Sequence, residues 1–298
     1  MVDKTQYLGF DAVKITNKKD DELVVLTGIG PRIISFRPEG GDNIFWVNED
    51  DFSSGDAREN TFRVFGGTRL WLSPETEASY RPDNGPCEVV TSDGTVTVAS
   101  APDTTTKIRK SMKITAHDEC FSVTYTIKNE GTHLVTAGLW ALTCMQPKKG
   151  ASILLPWGDG GPWDVKDMKY WRRWLGSGTD INSTQWNPTN EFFIVDPTGE
   201  EGKVGFANGR GFALYTFGDK AFIKHAGYVP TAHYPDGGCS CEVYTCKRFY
   251  EIETLSPLFV LGPDASRSHY ERWWAGKNKI NTKTVDGAYG FVQRVLSI

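Results

Sequence analysis

The chain has 298 residues, of which 39% are hydrophobic and 23% charged. These are the proportions of an ordinary globular protein and argue against a disordered chain. The formal net charge is -4, and Lys and Arg are scattered along the sequence, which argues against a nucleic-acid partner. No stretch approaches the ~18 apolar residues that a membrane-spanning helix needs, and residues 1–6 lack the apolar core of a secretory signal. We therefore expect a cytoplasmic protein with no membrane partner.

Strand signals dominate the sequence. Short segments rich in β-branched residues occur at 22–26, 32–36, 95–98 and 121–127. Between them lie turn sequences rich in Gly, Pro, Asn and Asp. The pattern predicts an all-β protein, built as one sandwich domain of large antiparallel sheets over residues 1–298, with few short helices. The best helical candidate is the short, aromatic segment 171–175.

The stretch from 158 to 190 is the least regular part of the chain and is expected to form a long loop, where ligand sites often lie. An indole ring can stack on the C–H face of a sugar while nearby polar groups bind its hydroxyls. In or near this stretch such rings belong to Trp157, Trp163, Trp171 and Trp174. We expect at least one of them to share a carbohydrate-binding groove with Trp71. The alternative is that these rings fill the space between two sheets.

The segment from 65 to 75 combines two glycines with Arg69, Trp71 and Glu75. Strand alternation places Arg69 and Trp71 on one face. A guanidinium beside an indole ring is suited to holding a sugar hydroxyl or a carboxylate. The alternative is an Arg69–Glu75 pair that stabilises a sheet end.

Acidic and tyrosine side chains accumulate towards the C-terminus. Tyr234 and Asp236 are candidates for ligand binding, and they precede two strand-like segments. Alternation puts Glu242 with Tyr244 on one face, and likewise puts Glu251 with Glu253 on one face. Crowded, partly buried carboxylates have raised pKa values, which suits general acid or base catalysis. The alternative is a set of solvated glutamates on an outer face.

Of the five histidines, His117 and His133 flank a strand and are interpreted as surface groups. His225 and His233 lie just before the acidic segments and are the candidate acids. No histidine or cysteine spacing matches a metal site, so we expect no metal and no cofactor.

Several segments together resemble a bacterial family of the galactose-mutarotase-like, aldose-epimerase-related superfamily. They are residues 30–34, 66–71, 140–145, 234–236 and 249–258, and the resemblance runs nearly end to end. It implies a β-supersandwich, galactose-mutarotase-like in fold, whose concave face binds a sugar. In aldose 1-epimerases a glutamate is the base and a histidine the acid in sugar ring opening. Glu253 looks like that glutamate, whereas Thr68 stands where related proteins usually have a histidine.

The first hypothesis is therefore a sugar epimerase that acts on an aldose or sugar derivative. Glu253 would accept the anomeric proton, His225 or His233 would protonate the ring oxygen, and Arg69 with Glu242 would position hydroxyls. A second hypothesis, favoured by Thr68, is a sugar-binding or sensing protein without catalysis. A third is a polysaccharide lyase-like enzyme in which Tyr234 or Tyr244 is catalytic.

Overall fold

The computed structural model describes residues 1–53, 61–158, 163–173 and 177–298. The first strands are β1 (Val2–Tyr7), β2 (Phe10–Thr16), β3 (Glu22–Leu26), β4 (Arg32–Arg37), β5 (Thr68–Ser73), β6 (Glu88–Ser92), β7 (Thr95–Ala99), β8 (Ile108–Ala116), β9 (Phe121–Asn129), β10 (Val135–Met145) and β11 (Ser152–Pro156). They are followed by β12 (Lys169–Tyr170), β13 (Trp186–Pro188), β14 (Phe192–Val195), β15 (Gly202–Phe206), β16 (Phe212–Phe217), β17 (Lys220–Ala226), β18 (Cys241–Thr245), β19 (Tyr250–Leu255), β20 (Phe259–Leu261) and β21 (Ser266–Lys277). The helices are α1 (Glu49–Ser53) and α2 (Val285–Leu296), with two 3-10 turns at Pro38–Gly40 and Glu77–Tyr80.

The strands form two large antiparallel sheets, which confirms the predicted fold class. In the first sheet the order is β1-β2-β3-β4-β5-β10-β19-β18-β15-β12, with β20 paired to β10. In the second it is β13-β14-β11-β16-β17-β21-β9-β8-β7-β6. All four predicted strand segments are strands, at β3, β4, β7 and β9. Residues 171–173 of the candidate helix are not helical, and the rest of that segment lies outside the described residues.

The core lies between the two sheets. Strand β9 illustrates how the sequence fills this core. Its residues alternate between buried and partly exposed, so that Phe121, Val123 and Tyr125 point into the gap. Phe36 of the first sheet meets Phe121 and Phe222 of the second at ring-centroid distances of 5.7 and 5.8 Å, edge to face. The opposite side of the second sheet is covered by the apolar side of α2.

A buried polar network in the gap between the sheets joins the second sheet to the central strands of the first sheet. Lys224 of β17 donates hydrogen bonds to the carbonyl oxygens of Ala141 (2.9 Å) and Ile252 (3.0 Å), and to the hydroxyl of Thr143 (2.8 Å). Its Nζ also lies 3.3 Å from Glu271. Because a buried cation needs such partners, the contacts fix β10 and β19 relative to the second sheet.

The outer face of the first sheet is only partly covered. Phe52 of α1 packs there on residues of β2, with Phe10 at 5.7 Å. The central strands β5, β10, β19, β18 and β15 carry the remaining face, where charged and aromatic side chains gather. Among the described residues, no helix is both long and apolar enough to cross a membrane.

Candidate functional site

The site is built on the outer face of five neighbouring strands of the first sheet. Strand register brings its residues together: Leu142 of β10 is opposite both Arg69 of β5 and Glu253 of β19. Trp140, two residues earlier on β10, is opposite Trp71. Since side chains alternate along a strand, these residues all project to the same side.

Together these strands and the adjoining loops enclose a groove of about 180 Å³. Its aromatic walls are Phe62, Trp71, Tyr80, Trp140, Tyr244 and Phe249. Its charged residues are Arg69, Glu75, Lys203, Arg248, Glu251 and Glu253. The combination of apolar rings and convergent charged groups is typical of a site for a polar ligand with apolar faces.

Glu253 lies at the base of the groove and is fully buried. Its Oε2 accepts hydrogen bonds from Trp140 Nε1 (2.5 Å) and from Lys203 Nζ (3.1 Å). Its Oε1 has no hydrogen-bond partner among the described residues. A buried acceptor without a partner is rare and costly, so this oxygen calls for a functional explanation.

Glu242 is directly opposite Glu253 on the neighbouring strand. Its Oε2 lies 2.8 Å from the same Lys203 Nζ. Burial raises the pKa of Glu242 well above its usual value, and the Lys203 ammonium offsets this only in part. Burial alone lowers the pKa of Lys203, but the carboxylates of Glu242 and Glu253 outweigh it and hold that pKa above its usual value. Lys203 is therefore a firmly charged ammonium between two acidic groups.

A second ion pair lies along the groove. Arg69 Nη2 is 3.4 Å from Glu251 Oε1, and the guanidinium stacks over the Trp71 ring with its carbon 4.3 Å from the ring centroid. Burial raises the pKa of Glu251, which Arg69 counteracts. Glu75 instead accepts a hydrogen bond from the Tyr80 hydroxyl. The alternative Arg69–Glu75 pair is therefore not the pair that forms.

No family model matches this sequence, and no curated protein matches it either. Solved structures do match the fold. A candidate aldose 1-epimerase from Escherichia coli K12 superposes with a TM-score of 0.61 at 14% identity, covering 93% of this chain and 100% of that one. A galactose mutarotase-like protein from Clostridium acetobutylicum gives a TM-score of 0.57 at 12% identity, covering 93% and 98%. A protein from Synechocystis sp. PCC 6803 gives 0.60 at 12% identity, covering 90% and 96%.

The fold is galactose-mutarotase-like. This confirms the fold that the sequence resemblance implied, and the groove lies on the outer face of one sheet of that fold. At these identities the likeness concerns the fold, so the chemistry of the groove depends on its own residues.

Six of the fifteen candidate residues meet in this groove. Those that line it are Arg69, Trp71, Glu75, Tyr244, Glu251 and Glu253. Glu242 adjoins them through Lys203. Trp171 follows β12 at the sheet edge, and its ring centroid lies 4.9 Å from Lys203 Nζ. Their roles in binding remain predictions.

The other aromatic candidates lie elsewhere. Trp157 is buried between the sheets, with its ring centroid 4.6 Å from that of Phe206, so the space-filling alternative holds for it. Trp163 is 92% exposed, and Trp174 lies outside the described residues. Tyr234 is buried, stacked on Tyr228, with its hydroxyl accepting a hydrogen bond from the Val229 amide.

Asp236 also lies outside the groove lining and accepts a hydrogen bond from the Ser73 hydroxyl. Asp236 contacts the last residue of β5, because the 227–240 connection runs past the end of the sheet rather than over its centre. The Asp236 carboxylate also raises the pKa of Glu242, but burial and the Glu253 carboxylate raise it more.

The structure corrects the expectation that His225 or His233 is the acid beside Glu253. Lys224 points into the gap between the sheets, so strand alternation sends His225 to the opposite side of the second sheet, beside Arg272 of β21. Burial, with a smaller contribution from Arg272, lowers the pKa of His225 to about 4. His233 is exposed in the loop after β17. Within the described ranges, no group of three or more His, Cys, Asp or Glu side chains is placed to hold a metal ion.

Thr68 likewise faces away from the groove. Its hydroxyl donates to the Leu142 carbonyl oxygen (2.6 Å) and lies 2.8 Å from the Thr143 hydroxyl, inside the gap between the sheets. Arg69, the next residue, points to the groove. A histidine at position 68 of this backbone would not reach a ligand there, so Thr68 gives no reason to infer a lost acid.

Sequence reasoning missed the groove's central cation, Lys203, and gave no role to Trp140, Tyr80 or Arg248. For Lys203 the distinguishing observation is its burial, which only the structure shows. Lys203 is the single charged residue in the segment Gly202–Phe206, which is buried along its whole length. A charge inside a fully buried strand indicates a specific partner.

Proposed function

We propose that the groove binds a monosaccharide or a sugar derivative and that the chain interconverts its anomers, as an aldose 1-epimerase-like isomerase acting by acid and base catalysis. The observation that carries this proposal is the hydrogen bonding of the two Glu253 carboxylate oxygens. Two donors hold one oxygen of its buried carboxylate, and its other oxygen has no partner among the described residues. Such an oxygen is placed to take a proton from a bound hydroxyl.

The groove's dimensions and lining support a small, hydroxyl-rich ligand. Its volume of about 180 Å³ lies below the ~300–1,000 Å³ of sites that hold drug-sized molecules. Trp71 and Trp140 contribute apolar ring atoms to the groove wall, while Arg69 and Glu251 offer polar atoms for the hydroxyls of a pyranose. Trp71 is itself stacked with Arg69, which fixes both groups before a ligand binds.

In the proposed reaction Glu253 removes the proton from the anomeric hydroxyl. The electron pair of that O–H bond forms the C1=O double bond while the bond from C1 to the ring oxygen breaks. The ring oxygen takes up a proton as it leaves, which gives the open-chain aldehyde. Rotation about the C1–C2 bond followed by the reverse steps closes the ring as the other anomer, and both protons return to their donors.

Lys203 is the proposed proton donor to the ring oxygen. Its Nζ lies 3.1 Å from the Glu253 oxygen that it holds, so donor and base are near enough to act on one sugar ring. An alkoxide is basic enough to take a proton even from an ammonium whose pKa is raised. Glu242 Oε2 lies 2.8 Å from Lys203 Nζ and holds it in place, and the neutral amine takes its proton back when the ring closes.

The fold neighbours add support of a general kind, since two of those above carry epimerase or mutarotase-like names. A second candidate function is sugar binding without catalysis. It is favoured by the lack of a histidine among the described residues that line the groove. No observation favours a lyase-like activity, because Tyr234 is outside the groove and the Tyr244 hydroxyl donates to Glu201.

Exchange NMR on a panel of aldoses, ketoses and their derivatives tests the proposal. We expect accelerated exchange between the α and β anomers of at least one sugar. Saturable binding with unchanged exchange would establish the binding function in place of the catalytic one. If no sugar binds or exchanges faster, the assignment of the groove to sugars is wrong.

We further propose a cytoplasmic setting, which is supported by the absence of disulfides among the six cysteines. We also propose that residues 1–298 form one domain.

A further inference from the structure

A second, larger cavity of about 530 Å³ lies at one end of the gap between the two sheets. Its walls come from the end of β5, the first residues of β8 and β10, and the loops at 74–86 and 100–106. The lining is largely apolar, with Leu72, Pro74, Pro102, Ile108 and Val135 among its residues. The volume falls within the ~300–1,000 Å³ typical of small-molecule sites.

One lysine points into this apolar cavity. Along β8, Ile108, Met112 and Ile114 are buried in the gap between the sheets. Strand alternation puts Lys110 on that same inward side, and it lines the cavity. An apolar residue at this position would continue the pattern, so the lysine interrupts the row of apolar core residues along β8.

The other charges at the cavity are already paired. Arg32 forms an ion pair with Asp83, and Arg81 Nε donates to Asp103 at 2.7 Å. Within the described ranges the Nζ of Lys110 has no ion pair within 4.0 Å and no hydrogen bond. Burial lowers the pKa of Lys110, and the nearby Asp83 offsets this only in part. The cavity thus contains one ammonium that, among the described residues, no carboxylate contacts directly.

We propose that this cavity binds a small monocarboxylate with an apolar body, whose carboxylate pairs with Lys110. One negative charge balances the one unpaired ammonium. A phosphate dianion would leave excess negative charge beside Asp83 and Asp103, so the charge balance favours the carboxylate. The apolar body of the ligand fills the space among Leu72, Ile108 and Val135.

The cavity adjoins the groove through one side chain. Trp71 lines both spaces, and the 3-10 turn Glu77–Tyr80 contributes Ser79 to the cavity and Tyr80 to the groove. A ligand in the cavity therefore contacts a wall of the groove from behind. The proposal does not depend on the function of the groove, since it rests on Lys110 and the second cavity alone.

Calorimetry and saturation-transfer NMR with acetate, butyrate, phenylacetate and 4-phenylbutyrate test this site, with phenylacetamide as a neutral probe of the same shape. We expect saturable binding of the longer carboxylates and weaker binding of the amide. Lys110→Met keeps most of the apolar stem and removes the charge, so it should weaken carboxylate binding by about 10-fold or more. Lys113→Met removes an exposed lysine from the same strand and should change nothing.

Ala137→Leu supplies an independent variant, because Ala137 lines the cavity and the larger side chain occupies ligand space. We expect it to weaken carboxylate binding, with circular dichroism confirming that each variant is folded. The proposal is overturned if none of the carboxylates saturates, or if phenylacetate binds equally to Lys110→Met and the unaltered protein. The latter result would place the carboxylate elsewhere, for example beside Arg69 in the groove.

Discussion

Glu242 and Glu253 stand directly opposite each other on β18 and β19, and one ammonium, that of Lys203, lies within 3.1 Å of both. Two carboxylates in such a cross-strand pair repel each other. Both are fully buried, which adds a desolvation cost that the Lys203 ammonium and, for Glu253, the Trp140 hydrogen bond offset in part. This arrangement sacrifices stability to keep acidic groups at the base of a groove, as is typical of functional sites.

Lys203→Met should lower the free energy of unfolding by about 3–5 kcal/mol, because it leaves buried carboxylates without their cation. Urea unfolding followed by circular dichroism measures this. The double variant Lys203→Met with Glu242→Gln should recover part of the loss, since one uncompensated acid is then removed. A single variant as stable as the unaltered protein would show that the ammonium does not hold these carboxylates.

Gly205→Ala tests the packing around Glu242. A Cβ at position 205 would lie 2.7 Å from Glu242 Cγ and 2.9 Å from Cys239 Sγ, both too close. We expect a loss of about 1–3 kcal/mol of stability, together with slower anomer exchange as Glu242 shifts. Gly227→Ala is the matched control, because nothing lies within 4 Å of a Cβ there. Equal stability of the two variants would contradict the tight packing described.

The buried His269 predicts a component of acid sensitivity. Burial lowers the pKa of its imidazole to about 4, below the ~6.5 of an exposed histidine. Because the folded-state pKa is the lower one, its stabilising contribution is complete above about pH 6.5 and is lost as the pH falls through about 4. His269→Asn should therefore lose less stability than the unaltered protein between pH 7 and pH 4, by on the order of 3 kcal/mol.

Unfolding curves at half-unit pH intervals measure the difference. The exposed His133→Gln should follow the unaltered protein over the whole range. Parallel curves for His269→Asn and the unaltered protein would mean that this histidine takes up its proton equally in the folded and unfolded states.

Period-two alternation and turn residues were sufficient to predict the sheets, because local patterns determine which strand residues face the core. They also predicted that Arg69 shares a face with Trp71, and Glu251 with Glu253, since each pair lies on one strand. Helix α2 was missed. Its apolar positions Val285, Ala288 and Val292 do repeat with helical spacing, but two glycines weaken the pattern.

Relations between distant strands were not predictable in this way. The placement of Lys203 between Glu242 and Glu253 depends on the sheet order β19-β18-β15, which no local pattern contains. The prediction that His225 lies beside Glu253 was wrong for the same reason. Its strand belongs to the second sheet, so closeness in sequence to the acidic strands did not bring it close in space.

Arg69→Ala tests the binding wall of the groove. Any sugar found by the exchange screen should quench tryptophan fluorescence, because Trp71 and Trp140 line the groove. Removing the guanidinium frees Glu251 and releases the Trp71 ring, so sugar affinity should fall about 10-fold or more. Arg267→Ala, at an exposed position of β21, should bind as before. Undiminished quenching in Arg69→Ala would place the sugar elsewhere.

The rate of anomer exchange in Glu253→Gln tests the central claim most directly. The glutamine keeps the size of the side chain and can still accept a hydrogen bond from Trp140, but it is not a base. On the sugar identified by the screen, turnover should fall by about 10²-fold to 10⁴-fold, with sugar affinity and melting temperature changed little. Glu119→Gln, an exposed change, should retain full turnover. Full turnover in Glu253→Gln would contradict the account, because the buried carboxylate would then not be the base.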